Sequence, residues 1–133
     1  MNEKTSTVIG YIQDHYGAEA EYPWVTSPQN AIFRNGRNGK WFAVLLGSLP
    51  KRCLGIAEEG ETDVLNLKCD PIMTFSLIDH QRIFRAYHMN KEHWISVRLD
   101  SGIGLEELSF LIDVSYGLVD KRKTRKTEKQ SGT

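Results

Sequence analysis

The chain has 133 residues, with 17 Lys/Arg balanced by 17 Asp/Glu, and carries three Trp, five Tyr and five Phe. That length makes one domain, and so many aromatic residues exclude a chain unable to bury a core. Two cysteines are too few for a disulfide scaffold, and no apolar run approaches the ~20 residues of a membrane span. The opening Met1-Asn2-Glu3-Lys4 has none of the apolar core of a signal peptide, so a reduced, cytoplasmic monomer is expected.

Val8, Ile9, Ile12 and Tyr16 fall at helical spacing, and Gly17 is placed to end that helix. Tyr22-Pro23-Trp24 reads as an extended connection, because proline restricts its predecessor. Ala31 to Arg34 is a short strand, and the two Asn-Gly pairs between Asn35 and Gly39 predict a hairpin. Lys40 to Leu46 returns as a strand apolar on both faces, so at least its middle should be covered. Leu49 to Gly60 is a crossing segment, irregular or briefly helical.

From Thr62 to Cys69 the pattern alternates, with Asp63, Leu65, Leu67 and Cys69 on one face and Val64, Asn66 and Lys68 on the other. Asp70-Pro71 starts a helix that turns Met73, Leu77 and Ile78 inward. Ile83–His88 and His93–Leu99 are two further strands, the second pointing Trp94, Ser96 and Arg98 outward. Leu105, Leu108, Leu111, Ile112, Ser115 and Val119 trace one face of a last helix. The order α-β(3)-α-β(2)-α packs most simply as an α+β two-layer sandwich, one antiparallel sheet with the helices on one face and the other face wholly or partly open.

The zero net charge conceals two halves. Residues 1–120 hold 11 Lys/Arg and 16 Asp/Glu, giving −5, whereas residues 121–133 hold six Lys/Arg and Glu128, giving +5. The folded domain is therefore read as 1–120, and 121–133 as a basic tail with nothing to bury and expected to be disordered. Such an arm attracts polyanions, or else serves as a solubilising end or complements a helix C-terminus.

Gly17-Ala18-Glu19, Tyr22-Pro23-Trp24, Phe33-Arg34, Lys40-Trp41-Phe42-Ala43, Leu65 to Pro71, and above all Tyr87 to Ile95 resemble blocks of the YjbR/MmcQ family, as do Leu111-Ile112-Asp113 and Ser115-Tyr116. The resemblance spans residues 17–119. It implies a CyaY-like α-β(3)-α-β(2)-α fold and DNA binding through wing-like hairpins, with no catalytic activity.

Two groups of residues are candidates for contact. In the first hairpin, Arg34, Arg37 and Lys40 flank flexible Asn-Gly turns, a composition suited to a wing along phosphates or simply to an ordinary solvated turn. In the second, His88, Asn90, Lys91, His93, Trp94 and Arg98 lie close in sequence, with Lys68 and Asn66 on a strand nearby. If the faces coincide, Trp94 forms a plate among cations that can stack a base; otherwise it packs inward with Lys and Arg stems across it. His and Cys spacings match no metal motif, no Gly-rich phosphate loop or nucleophile elbow is present, and no cofactor is implied. The leading expectation is a binding module for DNA or RNA. The alternative is a protein-interaction domain using an open sheet face, and an enzyme would need a closed pocket around His88 and His93.

Overall fold

The computed structural model describes residues 3–120. Helix α1 (Glu3–Tyr16) buries Thr5, Val8 and Ile12, and Gly17 ends it with φ 68° and an N–H donated to the Gln13 carbonyl at 2.9 Å. Strands β1 (Ala31–Arg34), β2 (Trp41–Pro50) and β3 (Glu61–Lys68) follow, with a single 3-10 turn at Lys51–Leu54. Helix α2 (Pro71–Leu77) starts where Asp70 accepts the Met73 N–H at 2.9 Å. Strands β4 (Ile83–Arg85) and β5 (Trp94–Arg98) precede helix α3 (Leu105–Val119). The five strands form one antiparallel sheet in the order β1-β2-β3-β5-β4. Beyond β1, Glu21 makes an isolated bridge to Ile32. No helix among the described residues is long and apolar enough to cross a membrane, and the basic segment 121–133 lies outside them.

The three helices cover one face of the sheet. Val8 and Ile12 from α1 and Leu108, Leu111, Ile112 and Val119 from α3 meet Phe33, Leu45, Leu65, Leu67, Ile95 and Val97, with Met73 and Leu77 of α2 at the margin. Burying each such side chain contributes ~1.5–3 kcal/mol. Ser115 also fixes α3 to the sheet. Its hydroxyl accepts the Lys68 N–H at 2.8 Å and donates to the Phe42 carbonyl, spanning the point where β2 and β3 are no longer in ladder register.

The opposite face is not open. Ile32, Val44, Leu46, Val64, Ala86 and Trp94 form a second buried cluster there, and Trp24, Trp41, Leu49, Leu54, Tyr87 and Met89 pack over it. The cover consists of two irregular segments, 21–30 and 86–93, together with the 3-10 turn. A face lined by Val, Leu and Trp must be removed from water, and these loops do so where no helix is present.

Two irregularities of β2 shape this face. Phe33 pairs with Ala43 but Arg34 pairs with Trp41, so Phe42 is an extra residue. Phe42 and Ala43 both turn toward the helices, and Trp41 is moved to the loop-covered face. Further along, register is lost between Leu46 and Leu49, with Ser48 at φ 53°. Here segment 21–30 crosses close to Gly47, where an added Cβ would lie 2.9 Å from the Gln29 carbonyl oxygen. Gly47 also donates its N–H to Asn30 Oδ1 at 3.0 Å.

Candidate functional site

The turn between β1 and β2 does not project as a wing. Asn35 is buried, and its Oδ1 accepts the N–H groups of Arg37 at 2.8 Å and Asn38 at 3.2 Å. Its Nδ2 donates to Asp120 at 2.7 Å, and Asn38 Nδ2 donates to the Val119 carbonyl at 2.7 Å. The two Asn-Gly pairs therefore turn the chain and also bolt that turn onto the end of α3. Arg37 forms an ion pair with Asp120, and Arg34 one with Glu21 at 3.0 Å. The hydrogen bond and charge of Asp120 push the Arg37 guanidinium further up. Lys40 is exposed.

Strand faces coincide as the alternation requires: Lys68 lies opposite Trp94, Asn66 opposite Ser96 and Val64 opposite Arg98. The exposed aromatic plate is nevertheless absent. Trp94 is 7% exposed beneath the covering loops, and the Lys68 ammonium lies 5.8 Å from its ring centroid. Arg98 pairs with Asp100 at 2.7 Å. Burial alone would raise the Asp100 carboxyl, but the Thr62 hydroxyl and the Arg98 guanidinium hold it below the usual carboxylate range.

The block between β4 and β5 mainly shapes its own loop. Asn90 Oδ1 accepts the N–H groups of Glu92 at 2.8 Å and His93 at 3.2 Å, and Lys91 Nζ donates to the Ala86 carbonyl at 2.9 Å. His93 is exposed and its carbonyl accepts the Cys69 N–H at 2.7 Å. Strand β4 stops at Arg85, three residues short of the sequence expectation, because the chain leaves the sheet to cover it. A closed ring of three hydrogen bonds fixes that departure. Ser96 Oγ donates to Asn66 Oδ1 at 2.5 Å, Asn66 Nδ2 donates to the Tyr87 carbonyl at 3.0 Å, and the Tyr87 N–H donates back to Ser96 Oγ at 2.9 Å. Both Asn66 and Ser96 are fully buried. The next residue, His88, is held at φ 65°, a left-handed conformation uncommon outside glycine, with its ring 4.0 Å from that of Tyr87. A hydrogen bond to Cys53, together with burial, pushes the Tyr87 hydroxyl up and ties this loop to the 3-10 turn.

The two covering loops leave a cleft of about 310 Å³ between them. Its floor is Val44, Leu46 and Asn66 of the sheet; Trp24, Ser27, Asn30 and Trp41 line one side and His88 and Met89 the other. The Trp24 and Trp41 rings meet nearly at a right angle, 86°, with centroids 6.0 Å apart. Asn66 and His88 were legible as candidates in the sequence. Trp24, Trp41, Ser27, Asn30 and Met89 were not, although Trp24 follows a proline that stiffens the segment carrying it. Among the described residues no three metal-ligating side chains gather.

Five antiparallel strands backed by three helices on one face and by loops on the other define a small α+β protein class. The YjbR family model matches residues 13–118. The uncharacterised protein YyaQ of Bacillus subtilis is 37% identical over 111 residues, 84% of this chain and 93% of that protein. A crystal structure of a Pseudomonas syringae protein is similar with a TM-score of 0.82 at 39% identity, over 89% of this chain and 98% of that one. The Deinococcus radiodurans protein DR2400 is similar at a TM-score of 0.64 and 26% identity, over 91% and 84% of the two chains. The chain belongs to the YjbR family.

Proposed function

We propose that the chain is a non-catalytic binding module for nucleic acid, contacting phosphates at the end of the molecule where the Asn35–Lys40 turn meets α3. One observation carries this reading: Asn35, Arg37 and Asn38 fix the turn to Val119 and Asp120. Asp120, beside Arg37, is the residue after which the sequence carries six Lys/Arg over 121–133. Residues 1–120 carry an excess of acidic residues, so the six Lys/Arg that follow Asp120 would supply most of the attraction for phosphate. Arg34, Glu21 and Arg37 are exposed and Asp120 is half-buried; ion pairs open to solvent contribute little, so a phosphate can compete for either guanidinium.

Fluorescence anisotropy with labelled single- and double-stranded DNA and RNA tests the proposal, using the full chain, Arg37→Glu, Lys40→Glu and residues 1–120. Affinity is expected to fall steeply with salt, by a log–log slope of ~0.7–0.9 per phosphate contact. Each charge reversal should weaken binding several-fold, and the shortened chain should show a smaller slope. Binding indifferent to salt and to both reversals would refute the assignment.

A protein-binding reading is favoured by a different observation. Ile72 and Phe75 of α2 are 84% and 86% exposed and lie three residues apart on one side of the helix. A protein partner would use this helix rather than the sheet face, which the loops cover. A salt-insensitive complex abolished by Phe75→Glu would support that reading.

A further inference from the structure

The cleft beside Trp41 has no part in the phosphate contact proposed above, yet it is built as a site. We propose that it binds one flat, uncharged heterocycle carrying a hydrogen-bond acceptor at its edge, specifically a nucleobase. The inference stands without the phosphate reading, since a base is recognised by its ring and edge alone.

Three features argue for this ligand class. Its lining contains no Asp, Glu, Lys or Arg, so a charged group would lose its hydration there without a counterion. A volume of about 310 Å³ is at the small end for ligand sites and suits one or two fused rings rather than an extended chain. The Trp24 and Trp41 rings, set at 86°, offer a face to one side of a flat ring and an edge to another.

The polar groups set which edge the ring presents. The Gly47 N–H can only donate, so the Asn30 atom that receives it is the amide oxygen. That leaves Asn30 Nδ2 as a donor on the cleft wall, with no acceptor among the described residues. Ser27 stands on the same side as a second donor or acceptor. Asn66, by contrast, has both ends of its amide engaged, with Ser96 and with the Tyr87 carbonyl. It contributes a polar floor whose orientation is fixed. The same hydrogen-bond ring fixes the backbone that places His88 at the opposite wall, so the site is formed before a ligand arrives. A nucleobase meets these conditions: it is flat and neutral, with carbonyl or ring-nitrogen acceptors at its rim.

The source of the base is either a free nucleoside or an unpaired position in a single strand. Two-dimensional 1H–15N NMR on the full-length chain distinguishes them. The probes are uridine, cytidine, adenosine and guanosine, a single-stranded mixed-sequence hexanucleotide containing all four bases, and indole, a flat ring without an acceptor. Saturable shifts of the Trp24 and Trp41 indole N–H and the Asn30 side-chain amide are expected with at least one nucleoside, or with the hexanucleotide alone if the base arrives within a strand. Indole should bind at least tenfold more weakly. Asn30→Asp keeps the oxygen that accepts from Gly47 and replaces the donor by a second acceptor, so affinity should drop about tenfold or more while melting is unchanged. If that variant melts early, Ser27→Ala, expected to weaken binding by a smaller factor, serves in its place. Shifts that map only to residues 34–40 would overturn the proposal, as would indole binding equal to the nucleosides or no saturation by any probe at millimolar concentration.

Discussion

Ser96→Ala is a stringent test of the loop-covered face. The hydroxyl it removes donates to Asn66 Oδ1 at 2.5 Å and accepts from the Tyr87 N–H at 2.9 Å, at a position with no solvent exposure. The substitution deletes one oxygen and leaves almost no cavity, so the cost comes from the two polar groups stranded without partners. Each costs ~1–3 kcal/mol when buried, giving a loss of about 2–6 kcal/mol. Against a typical domain stability of ~5–15 kcal/mol this is a large fraction. In equilibrium urea unfolding the midpoint should fall by ~1–2 M with little change in slope. Asn66→Ala breaks the same ring from the other side, so the double variant should lose at least ~1 kcal/mol less than the sum of the singles. A midpoint shift below about 0.3 M, or strict additivity of the two substitutions, would show that the ring does not stabilise the loop.

Other substitutions probe the elements that place the site. Gly47→Ala should cost ~1–3 kcal/mol in thermal or urea unfolding, because its Cβ would press on Gln29, whereas Gly10→Ala in α1, with open space around it, should stabilise by ~0.5–1 kcal/mol. Asn35→Ala should destabilise measurably, since it strips the N–H groups of Arg37 and Asn38 and the Asp120 carboxylate of a buried partner, while Arg37→Ala should leave the melting temperature nearly unchanged. Burial alone would raise Asp79, but the N–H groups of Ile83, Gln81 and Arg82 and the Arg82 guanidinium hold it well below the usual carboxylate range. A carboxyl held low in the folded chain stabilises it above its unfolded pKa, ~4, and that contribution is lost as pH falls through the lowered value. Acid titration of stability should therefore be shallower in Asp79→Asn than in the parent.

Periodicity made the helices and the Thr62–Cys69 strand legible, because each buries one face and its residues record that face directly. Asp70 and Gly17 marked helix ends by the same local logic. Trp41 was lost for a local reason too: the bulge at Phe42 reverses the alternation, and nothing in Lys40-Trp41-Phe42-Ala43 announces which residue is extra. Trp94 was correctly assigned to the face away from the helices, but its burial depends on segment 21–30, distant in sequence, and on the adjoining segment 86–93, neither of which has a period. The doubly apolar pattern of β2 did carry that information. Val44 and Leu46 demanded a cover that helices on one side could not supply. The fate of the charges was the least legible, because the partners of Arg37 and Arg34 lie 83 and 13 residues away.

The bridge between Glu21 and Ile32 also constrains how any partner can approach. With hydrogen bonds of 2.8 and 3.0 Å in both directions it occupies backbone groups on the outer side of β1, and at the other margin β4 extends for only three residues. Neither border offers the long row of vacant N–H and C=O groups on which β-augmentation depends. Self-association through strand addition is discouraged for the same reason. Recognition must then be carried by side chains, and specificity in this molecule follows from loop and turn composition rather than from backbone pairing.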